Sequence, residues 1–411
     1  MLNFKDYYYT LRAKQYAYFI PDNKKVLEIG PEGGLEHALK GSKYDYIVLA
    51  GTLGGQSDIL QYLMDLRMYC HSDTRVIVEY YSYLWQYILK GAETVGLKKK
   101  QKTQNWLTKD DIDNFLSLGD FDPIKRERAI LFPINIWGLS YLINKYIAKL
   151  PVFNALTLNH FIIARPLFKE LKERSVTVLV PCRNERGNIE AAITRTPEFG
   201  TRQEFIFVEG HSKDGTYEEV ERVMKAYPHK DITLYKQEGV GKGDAVRFGF
   251  SKATGDVLMI LDADLTTPPE DMPKFYDAIK NGKGEFINGC RLIYPMEDEA
   301  MRFLNLLANK FFGIFFTWLL GQRFKDTLCG TKVILKHHYE ELVANRHYFG
   351  DFDPFGDFDL IFGAVKLNLK VVEVPIRYKS RSYGTTQIQR FRHGLLLFKM
   401  CGFAMKKIKF I

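Results

Sequence analysis

Asp262 and Asp264 sit one residue apart where the apolar run "VLMIL" (Val257–Leu261) stops. Strand residues two apart point to the same side, so both carboxylates can aim one way off the strand's end. Two hard oxygen ligands so placed suit a divalent cation such as Mg2+ or Mn2+. The plain alternative is a turn-and-cap role. That role is already filled, because Thr267, Pro268, Pro269 and Glu270 read as N-cap, first helical position and capping-box acid of a following helix. Four more carboxylates, Asp351, Asp353, Asp357 and Asp359, lie in "FGDFDPFGDFDLIFGA". A hydroxyl acceptor would need such a base, whereas an acceptor phosphate is already ionised near neutral pH and needs none. Asp359 could equally cap the helix after it. Lys242, between two glycines in a flexible "EGVGKGDAV", can reach a phosphate as a mobile point charge.

These groups must be positioned by the elements around them, and the chain offers two alternating strand–helix blocks. The first runs through "KKVLEIGPEGGLEHALK", "YDYIVLA" and "TRVIVEYY", with the helical pattern "ILQYLMDLRMYC" between the last two. The second has strands at "VTVLVP", "EFIFVEG", "VLMILDAD" and "VVEVPI". A short charged connector, Ala164 to Arg174, joins them. Such alternation implies α/β layers with ligands at the carboxyl ends of the strands. Read in order, the strand ends of the second block present Pro181, Arg183, Asn184 and Glu185, then Glu209 with Asp214 opening a helix, then Asp262 and Asp264. The expected organisation is a domain over 1–165, a second over 172–387 and a basic segment over 388–411.

In this order and spacing the second block resembles the family 2 inverting glycosyltransferases of the GT-A fold, most of all the dolichyl- or polyprenyl-phosphate sugar synthases. The matching positions are Pro181, Asn184, Glu185, Asp214, Lys242, Asp262, Asp264, Arg291, Asp326, Gly330, Pro375, Arg381 and Gly384, within Ser175 to about Arg392. Glu209-Gly210 departs from the family's Asp-Asp, and Thr266 stands where the synthases often carry Gln. The resemblance implies a metal at Asp262 and Asp264 that bridges the donor diphosphate. It implies that Pro181, Arg183, Asn184, Glu185, Glu209, Asp214, Lys242 and Asp262 cradle a UDP- or GDP-linked sugar. Arg291, Arg302, Asn305 and Arg381 would meet an acceptor phosphate. Asp357, ahead of Asp359 and Asp326, would be the base or orienting carboxylate. Transfer from the nucleotide sugar to a polyprenyl phosphate is the function so implied; a soluble transferase acting on a sugar or peptide hydroxyl is the alternative.

"VLEIGPEGG" resembles the first motif of class I S-adenosylmethionine-dependent methyltransferases, at Glu28, Gly30, Gly33 and Gly34. "YDYIVLAGTLGG" and "RVIVEYYSYLW" resemble that fold's fourth and fifth strands. Only 13 residues, Pro31 to Lys43, separate the first two strands, barely enough for one crossover. The adenosine-binding half is therefore missing, and the expectation is a scaffold whose tyrosines and Trp85 are core. A bifunctional methyltransferase–glycosyltransferase is the sharper alternative.

The 411 residues suffice for two full cores. Five scattered cysteines without a Cys-x-x-Cys pair argue for a reducing compartment. The start "MLNFKDYYYT" carries Asp6 and no apolar core, unlike a signal peptide. The expected place is the cytoplasmic face of a membrane. The net charge of +9 is confined to one end, since Arg377 to Ile411 holds nine Lys or Arg and no acid. Ile388, Phe391, Leu395 and Phe398 would form one apolar stripe of an interfacial helix flanked by Arg390, Arg392, Lys406, Lys407 and Lys409. A nucleic-acid-binding module would explain the basic end but not Asp-x-Asp or Gly-Lys-Gly, so no nucleic-acid partner is expected. Self-association is left open.

Overall fold

The computed structural model describes residues 4–31, 33–35, 41–96, 105–136, 138–168, 172–294, 303–348, 357–384 and 398–410; for 4, 5, 303–308, 347 and 357 it describes the backbone alone. The chain divides into two compact units, Met1–Lys169 with Ile408–Ile411, and Glu170–Lys407.

The first unit opens with a helix, Phe4–Phe19, and carries β1 (Val26–Ile29), β2 (Tyr44–Ala50), β3 (Cys70–Tyr81), β4 (Phe121–Ala129) and β5 (Asn159–Pro166). Their order in the sheet is β1-β2-β3-β5-β4. β1, β2 and β3 run parallel, and β5 lies antiparallel between β3 and β4. Ile47, Leu49, Val76 and Val78 pack with Leu63, Leu66 and Ile112 in one core. Two elements escape the alternation rule. β5 takes up Ala164 to Pro166, so the expected connector starts later. β4 reads "FDPIKRERA", whose charges hide a strand: Lys125 and Glu127 are nonetheless buried. Lys409 meets Glu127 at 3.3 Å, and Lys149, buried with them, is lowered by that burial to about 8. Lys125 lies over the rings of Tyr18 and Phe19.

The second unit holds β6 (Val176–Cys182), β7 (Gln203–Glu209), β8 (Asp231–Lys236), β9 (Val257–Ile260), β10 (Phe286–Cys290), β11 (Lys332–Leu335) and β12 (Val371–Pro375). They stand in the order β12-β10-β11-β9-β6-β7-β8. β11 is antiparallel to both neighbours and all other pairs are parallel. That single reversal matters. The carboxyl ends of β6, β7, β9, β10 and β12 and the start of β11 all arrive at one edge, which collects residues 183–188, 209–216, 261–266, 291, 326–331 and 376–384.

Several local expectations are corrected here. Thr267 caps no helix: a 3-10 turn, Pro269–Asp271, precedes the helix Met272–Lys280. Pro268 is extended, with ψ 128°, as a residue before proline prefers. Glu270 pairs with Arg195 at 2.7 Å instead of completing a capping box. Lys242 is the first residue of the helix Lys242–Lys252 and not part of a loop. A long helix, Phe303–Leu320, follows β10 in the chain. Of the C-terminal stripe, Ile388, Phe391 and Leu395 lie outside the described residues, and Phe398 is exposed. Met400, Cys401, Ala404 and Ile408 are the buried face instead. Lys409, expected among the outward cations, is the buried partner of Glu127. Tyr83 and Tyr87, expected in the core, are exposed. Among the described residues no helix is long and apolar enough to cross a membrane.

Candidate active site

At the edge of the second sheet, β9 stops and the chain turns through Asp262-Ala263-Asp264. Leu265 then adopts a left-handed φ of 52°, an unusual conformation for a branched apolar residue. Its buried side chain fixes the turn. Both aspartates already hold cations. Lys242 Nζ lies 2.6 Å from Asp262 Oδ1. Burial would raise the Asp262 carboxyl, but the Lys242 ammonium, with Lys332 and Arg291 behind it, holds it below the usual range. Arg381 Nη2 lies 2.6 Å from Asp264 Oδ2, while the Thr266 hydroxyl and amide donate to Asp264 Oδ1 at 2.8 and 3.1 Å. Gly330 passes so close that a Cβ there would fall on the Asp262 carboxylate and against the Lys242 ammonium. Only glycine allows this approach.

The Arg381 guanidinium forks between two segments, since its Nη1 also donates to Glu185 Oε1 at 2.9 Å. Glu185 is buried, and desolvation raises its carboxyl to about 7 against the opposing pull of Arg381. Arg381 belongs to a strap, residues 376–384, laid across the strand ends. The strap is fixed by Lys379 N–H to the Thr266 carbonyl (3.0 Å) and by Ser382 hydroxyl to Asn188 Oδ1 (3.2 Å). Tyr383 hydroxyl donates to Asp214 at 3.3 Å. Gly384, at φ 74°, closes over the Asn184 carbonyl.

Asn184 and Asp214 knit the first two loops together. Asn184, itself at φ 55°, donates its N–H to the Ser212 hydroxyl (2.9 Å) and accepts from Lys213 N–H (2.8 Å). Asp214 accepts from Arg186 N–H, Thr216 N–H and the Thr216 hydroxyl. Those bonds hold its carboxyl below the usual range although burial opposes them. Glu209 is buried and accepts from Ser212 N–H. Pro181, next to last in β6, pairs with Val208, and Arg183 is exposed.

Two expected roles change on inspection. Asp326, expected to be catalytic, is fully buried, and its two oxygens take Arg291 Nε and Nη2 at 2.7 Å each. The guanidinium holds its carboxyl below the usual range in spite of burial. A carboxylate so enclosed braces the edge. Arg291, expected at the acceptor phosphate, is the other half of that pair and lies over the Tyr378 ring. Asp359 sits in the first turn of the helix Asp357–Lys366, buried and paired with Arg346 at 3.2 Å. Arg302, Asp351 and Asp353 lie outside the described residues, as do the side chains of Asn305 and Asp357.

Sequence reasoning missed Lys332 and Glu373. Lys332 is buried beneath the Asp262 pair and donates to the Cys329 carbonyl. The only signal was one lysine inside the apolar "GTKVIL". Glu373 accepts the N–H groups of Lys325 and Asp326, and burial raises its carboxyl.

The arrangement is therefore a set of ion pairs at the carboxyl edge of a largely parallel sheet. Residues 177–338 match the family described as "Glycosyl transferase family 2". The chain is 32% identical over 248 residues to dolichol-phosphate mannosyltransferase of Pyrococcus furiosus, covering 57% of this chain and 67% of that protein. The chain belongs to glycosyl transferase family 2. It is a glycosyltransferase. The same-named protein of Saccharomyces cerevisiae is 36% identical over 109 residues, 25% of this chain and 40% of that one. A solved structure of glucosyl-3-phosphoglycerate synthase from Mycobacterium tuberculosis aligns with a TM-score of 0.41 and 17% identity, covering 56% of this chain and 80% of that one. The glycosyltransferase match lies entirely within the second unit.

Proposed function

We propose that the protein is an inverting, metal-dependent glycosyltransferase that moves a sugar from a nucleoside diphosphate donor to a lipid-linked phosphate of the polyprenyl type. The observation that carries this is the pairing of Lys242 with Asp262 and of Arg381 with Asp264 at one sheet edge. The donor set fits Mg2+ or Mn2+: two hard carboxylates one residue apart, of which Asp262 is held ionised by its neighbours. A divalent cation there supplies neutralisation of the departing diphosphate. Lys242, on the first turn of its helix, adds an ammonium and a helix N-terminus for the same phosphates. Asp262 and Asp264 would hold such a cation, and Lys242 and Arg381, which pair with them, would meet phosphate oxygens. Arg381 then carries the acceptor contact, since Arg291 Nε and Nη2 are held by Asp326. Asn184, Asp214 and Glu209 hold the donor loops in shape. An acceptor phosphate attacks as the anion, so the reaction needs no general base. One displacement through an oxocarbenium-like state inverts the anomeric centre.

The acceptor class follows the Pyrococcus relative, whose name states dolichol phosphate. The test is a donor screen with the full chain, Mg2+ or Mn2+ and a polyprenyl phosphate, with the lipid product identified by mass. Sugar joined to the polyprenyl phosphate is expected. Transfer only to sugar or peptide hydroxyls, with none to the lipid, would refute the acceptor assignment.

We further propose that the first unit is a shortened methyltransferase-type scaffold. β1, β2 and β3 stand as parallel neighbours in that order, and no strand flanks β1 on its outer side among the described residues. Calorimetry with S-adenosylmethionine should register no binding; a micromolar isotherm would restore the bifunctional reading.

A further inference from the structure

The helix Gln86–Thr94 of the first unit buries none of its side chains. Apolar residues of the helix and of its two ends nevertheless form one face, with Leu84 in the 3-10 turn before it and Val95 at its C-cap. Leu84, Tyr87, Ile88 and Val95 recur at i, i+3, i+4 and i+11 and are 61, 79, 59 and 69% exposed. The face continues into a neighbouring segment. Trp85 Nε1 donates to the Leu156 carbonyl at 2.8 Å, just beyond the turn Pro151–Asn154, where Val152 and Phe153 are also exposed. Single exposed apolar side chains are ordinary, but a joined group of them marks a surface that something covers.

Charge says what covers it. From Tyr80 to Val95 the one acid is Glu93, and Ile130 to Leu156 contains none. Lys90 is exposed beside the stripe. Lys145 stands over the Tyr141 ring and donates to the Tyr141 hydroxyl at 2.8 Å. A second copy would set this cationic face against its like. An anionic bilayer satisfies both parts, taking the apolar stripe into the headgroup–acyl boundary and drawing the lysines to lipid phosphates. The tyrosines and Trp85 suit that boundary, where one end of a ring is dry and the other wet.

We infer that this face of the first unit docks on an anionic lipid surface. The inference stands on exposure and charge in the first unit, and it does not require the acceptor reading made for the second.

The test floats the full chain with phosphatidylcholine vesicles containing phosphatidylglycerol, and with phosphatidylcholine alone. Two variants accompany it, Leu84→Ser/Tyr87→Ser/Ile88→Ser and Val152→Ser/Phe153→Ser. The expected result is binding to the anionic vesicles that weakens with salt. The triple variant should bind about tenfold less or weaker still, and the double variant should be weakened too. Thermal unfolding of both should be unchanged, because none of the five side chains is buried. Undiminished flotation of both variants would overturn the inference. So would a wild-type chain that ignores vesicles but sediments as a dimer broken by the triple variant, which would make the occupant a second copy.

Discussion

The two units share a design, parallel strands ending at one polar edge, yet treat that edge in opposite ways. In the first unit the edge is closed by its own side chains. The Thr52 hydroxyl bonds the Ile29 and Gly30 carbonyls. Glu79, at the end of β3, is buried among Arg12 and Tyr16 of the opening helix and Asn159 of β5. Each of these bonds satisfies a group that would otherwise be costly to bury. In the second unit the corresponding carboxylates are half-buried and matched to long cationic side chains from other loops. On the reading proposed above, an edge knotted to its own helix serves as a scaffold, and an edge held by paired charges from separate loops binds the donor.

The comparison is broken most severely at Lys242. Lys242→Met keeps the length and removes the charge. Loss of about 100-fold or more in transfer rate is expected, with an unchanged melting temperature. A rate within twofold of wild type would mean that the second edge does not hold the donor's phosphates.

A pair of glycines sharpens the contrast. Gly330→Ala pushes a methyl group into the Asp262–Lys242 pair, whereas a methyl group on Gly30 meets nothing within 4 Å. Initial rates should fall about tenfold or more for the first and stay level for the second, which occupies the motif position of an edge assigned no chemistry.

Much of the second edge was legible because it is written locally. Asp262 and Asp264 stand just beyond the end of β9, Asn184 and Glu185 just beyond β6, and Asp214 in the loop after β7. What was not legible depends on distant partners. The helix beginning at Lys242 has Gly241 as its N-cap and no side-chain cap, so no start signal marks it. β4 looked like a charged loop because the residue that neutralises Glu127 is Lys409, 282 positions away. Arg291 and Asp326 each looked available to a substrate. Their mutual pairing comes from the reversal of β11, which brings the loop before it to the end of β10, and no periodicity records that. Tyr87 was expected in the core because the domain reads as a scaffold, and residue type alone does not say whether a face is covered.

Smaller effects test the structural half of the comparison. Lys409→Met should lower the stability of the first unit by about 1–3 kcal/mol, read as an earlier thermal transition. An unshifted transition would deny the C-terminus its place in that unit. Truncation near Tyr383 therefore removes core material together with the basic segment, so any loss of membrane binding in such a chain is ambiguous.

Glu185 gives a pH signature. Its carboxyl titrates at about 7 in the folded protein against about 4.3 in an unfolded chain. The wild type therefore has the full benefit of a protonated Glu185 below that lower value and loses it as pH rises to 7. Relative to wild type, Glu185→Gln should gain in melting temperature across that window and level off above it. A difference that is flat with pH would remove desolvation as the cause.

The most direct test of the central claim measures transfer from the nucleotide sugar by wild type and Asp264→Asn, each with Mn2+ or Mg2+ and with EDTA. Wild-type turnover that EDTA abolishes and added metal restores, with Asp264→Asn inactive in both conditions and folded as judged by melting, is the predicted result. Full activity of Asp264→Asn, or wild-type transfer that continues in EDTA, would contradict the assignment of this edge as a metal-dependent donor site.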